Sequence, residues 1–278
     1  MSSDLNPLGV FAPGLFQGKT ALVTGGGRGI GKAIALGFGA LGANVVIASR
    51  KAENLNPTAQ EIRARGVPCL AVPTNIREID EVEALVRQSL ERFGAIDFLV
   101  NNAGGQFPAR PSQISDRGWR SVIDLNLNGT WNLCSRVAPH MLRRRSGAIV
   151  NIVHIYSFDR GAPSFVHSGA ARAGVVSMTR SLAYYFARQG VTINALAPGS
   201  VSTTGLREEE YSRSEQANYE ALQLRDIPTH RLAEPEEIAA IVLFLCSPAA
   251  RYINGAALVA DGALSLDNWT PLFDPEVP

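Results

Sequence analysis

Short apolar runs alternate along the chain with longer segments whose apolar positions recur every three or four residues. The runs at residues 19–24 (KTALVT), 44–49 (NVVIAS), 67–73, 96–100, 148–153, 191–197 and 256–259 read as strands. Their near-continuous apolar character predicts strands buried on both faces, as in a parallel sheet. Helical periodicity spans residues 29–42, 57–65, 78–93, 119–142 and 168–188. Strands alternating with helices imply βαβ units, and seven strands predict a single doubly wound (Rossmann) α/β domain with a seven-stranded parallel sheet. Residues 1–18 read as an N-terminal extension, 19–262 as the domain and 263–278 as a polar tail. Residues 199–227 interrupt the rhythm with a long polar insertion, which predicts a substrate lid after the sixth strand.

Composition narrows the function classes. A chain of 278 residues, 46% hydrophobic, is long enough for one large core. Its formal net charge of +1 gives no bulk attraction to nucleic acid or an anionic membrane, so anionic ligands must be held by local sites. No apolar run is long enough to span a bilayer. Cys69, Cys134 and Cys246 are widely spaced, which argues against a zinc site or a disulfide framework and fits a reducing compartment. No metal site is expected. No signal-like N-terminus or Ser-Lys-Leu C-terminus is present, and a cytoplasmic location is the expectation.

The segment Thr24-Gly25-Gly26-Gly27-Arg28-Gly29-Ile30-Gly31 lies between the first predicted strand and the first predicted helix. Gly25, Gly29 and Gly31 allow a tight turn and a close backbone approach to a ligand. The helix start beyond them offers unpaired N–H groups and a positive dipole end to a pyrophosphate. An NAD site needs a carboxylate at the end of the second strand for the ribose 2′-hydroxyl. Ser49-Arg50-Lys51 stands there instead. Arg50, with Arg28 nearby, suits a 2′-phosphate, so NADP(H) is the predicted cofactor. Asn75 and Ile76, after the third strand, join the predicted cofactor contacts.

The spacing T-G-x-x-x-G-x-G resembles the fingerprint of the short-chain dehydrogenase/reductase family. Two further segments are similar to that family's motifs, in the same order and each after a strand: Asn101-Asn102-Ala103-Gly104 and Pro198-Gly199-Ser200-Val201-Ser202-Thr203. The resemblance implies that Asn102, Ala103 and Gly104 line the adenine side and that Pro198, Gly199 and Thr203 lie near the nicotinamide. It also implies a homotetramer built through the two long helices that flank the fifth strand.

The same resemblance exposes a departure. Most family members protonate a carbonyl oxygen with Tyr-x-x-x-Lys, but the aligned segment is Ser168-Gly169-Ala170-Ala171-Arg172. His154 falls where the family usually has a serine, and the family asparagine is kept as Asn126. A serine hydroxyl is too weak an acid to replace a lysine-activated tyrosine. Ser168, with Tyr156 upstream after the fifth strand, resembles the 2,4-dienoyl-coenzyme A reductases. Residues 166–174 and 101–107 resemble peroxisomal trans-2-enoyl-coenzyme A reductases. Both groups reduce a carbon–carbon double bond conjugated to a thioester, so the resemblance implies an acyl-coenzyme A or other lipid-like substrate.

That chemistry needs preorganised donors for an enolate oxygen and a proton for carbon. Tyr156 and Asn126 are the candidate donors and Tyr156 the candidate acid, while Ser168 and Arg172 would position the nicotinamide ribose. Arg172 cannot give up its proton near neutral pH, which makes it a binder. Two alternatives stay open: an alcohol or aldehyde dehydrogenase of lipid-like or terpenoid substrates, and a catalytically silent cofactor-binding protein. Tyr156 also has a plain reading as an aromatic packed on the sheet edge, and Arg143-Arg144-Arg145 as cations at a helix C-terminus.

Overall fold

The computed structural model describes residues 6–158, 161–203 and 224–266. Seven strands form one sheet: β1 (Thr20–Thr24), β2 (Asn44–Ser49), β3 (Cys69–Pro73), β4 (Phe98–Asn101), β5 (Gly147–Ile152), β6 (Val191–Pro198) and β7 (Ala257–Ala260). They pair in the order β3-β2-β1-β4-β5-β6-β7, every pair parallel. Successive strand residues point to opposite faces. Ala21 and Val23 enter one core while Leu22 enters the other, and Val45 and Ile47 are divided in the same way from Val46 and Ala48. Each core is roofed by helices. α1 (Gly29–Ala40), α2 (Ala52–Ala64) and α7 (Pro235–Cys246) cover the first. α3 (Ile79–Phe93), α5 (Gly129–Arg144) and α6 (Val166–Ala187) cover the second. The predicted single doubly wound domain is therefore observed.

Residues 6–18, ahead of β1, pack onto the first core. Phe16 is fully buried, its ring packs 5.2 Å from Phe38 and 4.9 Å from Phe98, and its N–H donates to the Leu41 carbonyl. Helix α2 starts at Ala52, five residues before the predicted start, and carries Pro57 inside it. Leu55, in its first turn, is fully buried, and that packing offsets the hydrogen bond that the proline removes. The long helix predicted over 119–142 is two helices, α4 (Asp116–Ile123) and α5, joined by a π-helical turn at Asp124–Asn128. Helix α7 was not predicted. A capping box between Glu234 and Glu237, with Pro235 at the first helical position, marks its start. Of the predicted lid, residues 204–223 lie outside the described residues, as do tail residues 267–278.

At the N-terminal edge of the sheet, the buried carboxylate of Asp97 ties several elements together. It accepts the Thr20 N–H at 2.9 Å and pairs with Arg144 of α5 and, at 3.5 Å, with Lys19. Asp97 also exchanges backbone bonds with Thr20 and Ala148, at the starts of β1 and β5. The opposite, C-terminal edge is left for a ligand. The strand order reverses between β1 and β4, which opens a crevice at their C-terminal ends.

Candidate functional site

The crevice is a cleft of about 670 Å³. Thr24, the last residue of β1, holds its floor: its Oγ1 accepts the N–H groups of Asn102 and Ala103 at 3.1 and 3.0 Å. The Asn102 amide donates back to the Thr24 carbonyl at 2.9 Å. Asn102 therefore clamps the ends of β1 and β4 while its surface lines the cleft. The glycine loop crosses this clamp. Gly25 adopts φ +66°, and a Cβ on it would sit 2.7 Å from the Asn102 amide nitrogen. A Cβ on Gly31 would collide with the Gly25 carbonyl, and one on Gly27 with the Asn54 carbonyl in the first turn of α2. Thr58 Oγ1 donates to the Gly27 carbonyl at 2.8 Å, which fastens the loop to α2. The loop runs into the start of α1, where Arg28 as N-cap makes no side-chain capping bond.

Arg28, Gly29, Ile30, Ser49, Arg50 and Ile76 line this half of the cleft. No Asp or Glu is among the described lining residues, whereas Arg28, Arg50, Lys51 and Arg172 are. A bare glycine cradle, a helix N-terminus and a wall of cations fit a nicotinamide dinucleotide. Among the described residues, no cluster of His, Cys, Asp or Glu is arranged to hold a metal ion. No helix among them is long and apolar enough to cross a membrane.

The other half of the cleft lies beyond β5. Ile152, Val153, His154, Ile155 and Tyr156 line it, with Phe165, Gln106, Arg172, Pro198, Gly199 and Thr203. Residues Ile155–Ser157 form one 3-10 turn. Its cap is His154, whose Nδ1 accepts the Tyr156 N–H at 3.3 Å, while the His154 N–H donates to Ser157 Oγ at 3.3 Å. The His154 ring stacks on Tyr156 with centroids 4.4 Å apart. Burial, and then the nearby Arg172 guanidinium, push the His154 imidazole down to about 3. Arg172 reaches across from α6 to donate to the Ile152 carbonyl at 2.8 Å. Gly104 passes so close to it that a Cβ there would collide with the guanidinium. Thr203 packs on the glycine loop, 3.3 Å from where a Gly29 Cβ would stand.

Three predicted site residues do not line the cleft. Asn126, buried in the π turn, has both ends of its amide committed to backbone. Its Oδ1 accepts the Gly105 N–H at 3.2 Å, and its Nδ2 donates to the Gly105 and Val122 carbonyls at 2.8 Å each. It holds the Gly104–Gly105 segment in place and is not presented as a donor to a ligand. Ser168 is buried and donates to Gln106 Oε1 at 2.7 Å, so it meets the cleft only through Gln106. Asn75 accepts from Arg77 Nε at 3.0 Å and is absent from the cleft lining, although its neighbours Thr74 and Ile76 belong to it. Conversely, Gln106 and Asn54 line the cleft without having been singled out, because no local pattern around either residue signals a ligand contact.

Comparison with known proteins agrees with this geometry. A family model described as enoyl-(acyl carrier protein) reductase matches residues 25–265. The 3-oxoacyl-[acyl-carrier-protein] reductase FabG of Staphylococcus epidermidis is 36% identical over 248 residues, covering 88% of this chain and 98% of that protein. A Bacillus subtilis protein named as a probable 2,4-dienoyl-CoA reductase is also 36% identical, over 88% of this chain and 95% of its own length. Among solved structures, a short chain dehydrogenase from Bacillus anthracis superposes with a TM-score of 0.81 at 35% identity, covering 91% of this chain and 98% of that one. The citronellol catabolism dehydrogenase AtuB of Pseudomonas aeruginosa superposes with a TM-score of 0.80 at 38% identity, covering 92% and 98%. With the glycine cradle, the strand order and the matched length all in agreement, the chain belongs to the short-chain dehydrogenase/reductase family of oxidoreductases.

Proposed function

We propose that this oxidoreductase uses NADPH to reduce a carbon–carbon double bond conjugated to an acyl-coenzyme A thioester, of the trans-2-enoyl or 2,4-dienoyl class. One observation carries the reading. The position of the usual catalytic tyrosine holds a buried serine bonded to Gln106, while the hydroxyl-bearing aromatic in the cleft wall is Tyr156. Bound NADPH supplies the hydride. Tyr156 gives the proton that carbon takes up. Arg172, fixed on the Ile152 carbonyl, keeps a positive field beside the developing charge. Asn126 acts as a positioning residue through the Gly104–Gly105 segment. The same reading includes a homotetramer assembled through α5 and α6, on which Trp131, Tyr184 and Tyr185 are exposed.

A second reading, oxidation or reduction of lipid-like alcohols and aldehydes, is favoured by the likeness to the citronellol catabolism dehydrogenase. NADPH oxidation against enoyl, dienoyl and 3-oxoacyl thioesters and free aldehydes separates the two. Turnover of enoyl or dienoyl thioesters is expected, and Tyr156→Phe should lower kcat by roughly 10²-fold while NADPH still binds. A fully active Tyr156→Phe enzyme refutes the assigned acid. Turnover of aldehydes alone favours the second reading, and no turnover with tight NADPH binding marks a silent binder.

A further inference from the structure

The turn after β5 presents a second polar group to the cleft. His154 lines the cleft and stacks on Tyr156, so the two rings share one wall. The bond that orders this turn also decides the chemical form of the imidazole. A backbone N–H can only donate, so the His154 Nδ1 that receives the Tyr156 N–H keeps its lone pair. In the neutral ring the proton must then reside on Nε2. Adding a second proton would convert Nδ1 from acceptor to donor and break the cap of the turn. Burial and the Arg172 guanidinium oppose the added charge as well. These interactions together favour the ring as a neutral donor through Nε2–H.

We propose that His154 is a further catalytic residue, its Nε2–H donating a hydrogen bond to the carbonyl oxygen of the substrate. The inference rests on reading this cleft as the site of a carbonyl-conjugated reduction. It resolves a difficulty left by Asn126, whose amide is occupied by backbone. Reduction of a conjugated alkene makes two demands at separate atoms. One alkene carbon accepts the hydride from NADPH, and the π electrons move so that negative charge gathers on the thioester oxygen. His154 Nε2–H holds that oxygen and keeps its proton. As the carbonyl re-forms, the other alkene carbon takes a proton from the Tyr156 hydroxyl, which solvent then restores. The alkene is reduced by two electrons and NADPH is oxidised by two. A neutral imidazole suits the oxygen, because it offers a fixed dipole without needing to be charged beside Arg172.

Two substitutions separate this role from simple capping. In His154→Asn the side-chain oxygen can still accept the Tyr156 N–H, as asparagine does at helix starts, but no donor reaches the Nε2 position. In His154→Gln the amide nitrogen reaches that position, while the cap is lost. With whichever substrate the parent turns over best, His154→Asn should lower kcat by roughly 10²-fold with the Kd for NADPH unchanged, and His154→Gln should lose clearly less. The reverse order, or a fully active His154→Asn enzyme, overturns the proposal. Nitrogen-15 NMR of the imidazole at neutral pH should show the Nε2–H tautomer, and an Nδ1–H tautomer or an imidazolium overturns it too. If the parent turns over only 3-oxoacyl thioesters or aldehydes and His154→Asn still loses rate, the substrate reading fails while His154 keeps its role. If the parent reduces enoyl thioesters and His154→Asn does not affect it, the reverse holds. No turnover of any substrate overturns both.

Discussion

Arg50 stands at the C-terminal end of β2, exposed and lining the cleft where an NAD site would need a carboxylate. Its neighbour Ser49 commits its hydroxyl to the Lys51 carbonyl at 3.1 Å, and the Arg50 guanidinium lines the cleft there with Lys51 beside it. A guanidinium pairs with a phosphate through a planar fork but gains little from a ribose hydroxyl. NADPH should therefore bind at least ~10-fold tighter than NADH, about 1.4 kcal/mol, and Arg50→Ala should remove most of that difference. Fluorescence titration of both cofactors on parent and variant checks this, and equal affinities in the parent would refute the NADP assignment. The glycine loop was readable from its letters because the constraint is local: Gly25 needs a positive φ, and Gly31 faces the Gly25 carbonyl only a few residues away. The orientations of Asn126, Ser168 and Asn75 were not legible in the letters, for the opposite reason. Each bonds away from the cleft, to Gly105, Gln106 and Arg77, and the direction of a side chain is settled by tertiary packing.

The strands were legible because burial on both faces makes each one a continuous apolar run, and all seven were found within a few residues of their ends. Helix α7 escaped for a related cause. Ile238, Ala239, Val242, Leu243, Leu245 and Cys246 are all buried, so no polar face lends the segment a clear helical period. Pro57 suggested a helix start, and only the packing of Leu55 carries α2 further back. The π turn has no compositional mark at all. Its role can be tested through Asn126→Ala, which strips the Gly105 N–H and carbonyl of their partner. With the Val122 carbonyl, three backbone bonds are lost, so stability should fall by about 1–3 kcal/mol. Thermal denaturation measures that fall. NADPH affinity and kcat should drop together, because the Gly104–Gly105 segment lines the cleft. Unchanged kinetics in the variant would dissociate the turn from the site.

The sheet divides labour between its two edges. At the C-terminal edge the glycine loop, Arg50, Tyr156 and Arg172 surround the cleft. At the N-terminal edge Asp97 gathers β1, β4, β5 and α5. Removing a buried charge from its partners is costly, so Asp97→Ala should destabilise the protein by roughly 3 kcal/mol. For a chain of this length, that is a fall of about 6 °C or more in Tm. The folded fraction should bind NADPH as the parent does. A calorimetric scan paired with cofactor titration tests both halves, and weakened NADPH binding at full stability would contradict the division.

The π turn between α4 and α5 has a counterpart in heredity. A turn of this kind amounts to a single residue inserted into an α-helix, and each residue of an α-helix advances it by about 100°. Loss of one codon between Asp124 and Asn128 could restore an unbroken helix, yet everything on one side of the deletion would rotate by that angle. Asn126 would swing off Gly105, and Ser115, which caps α4 through the Gly118 N–H, would turn with it. A lineage that acquires such an insertion, and comes to depend on the side chain it re-aims, cannot shed it by the simple reverse step.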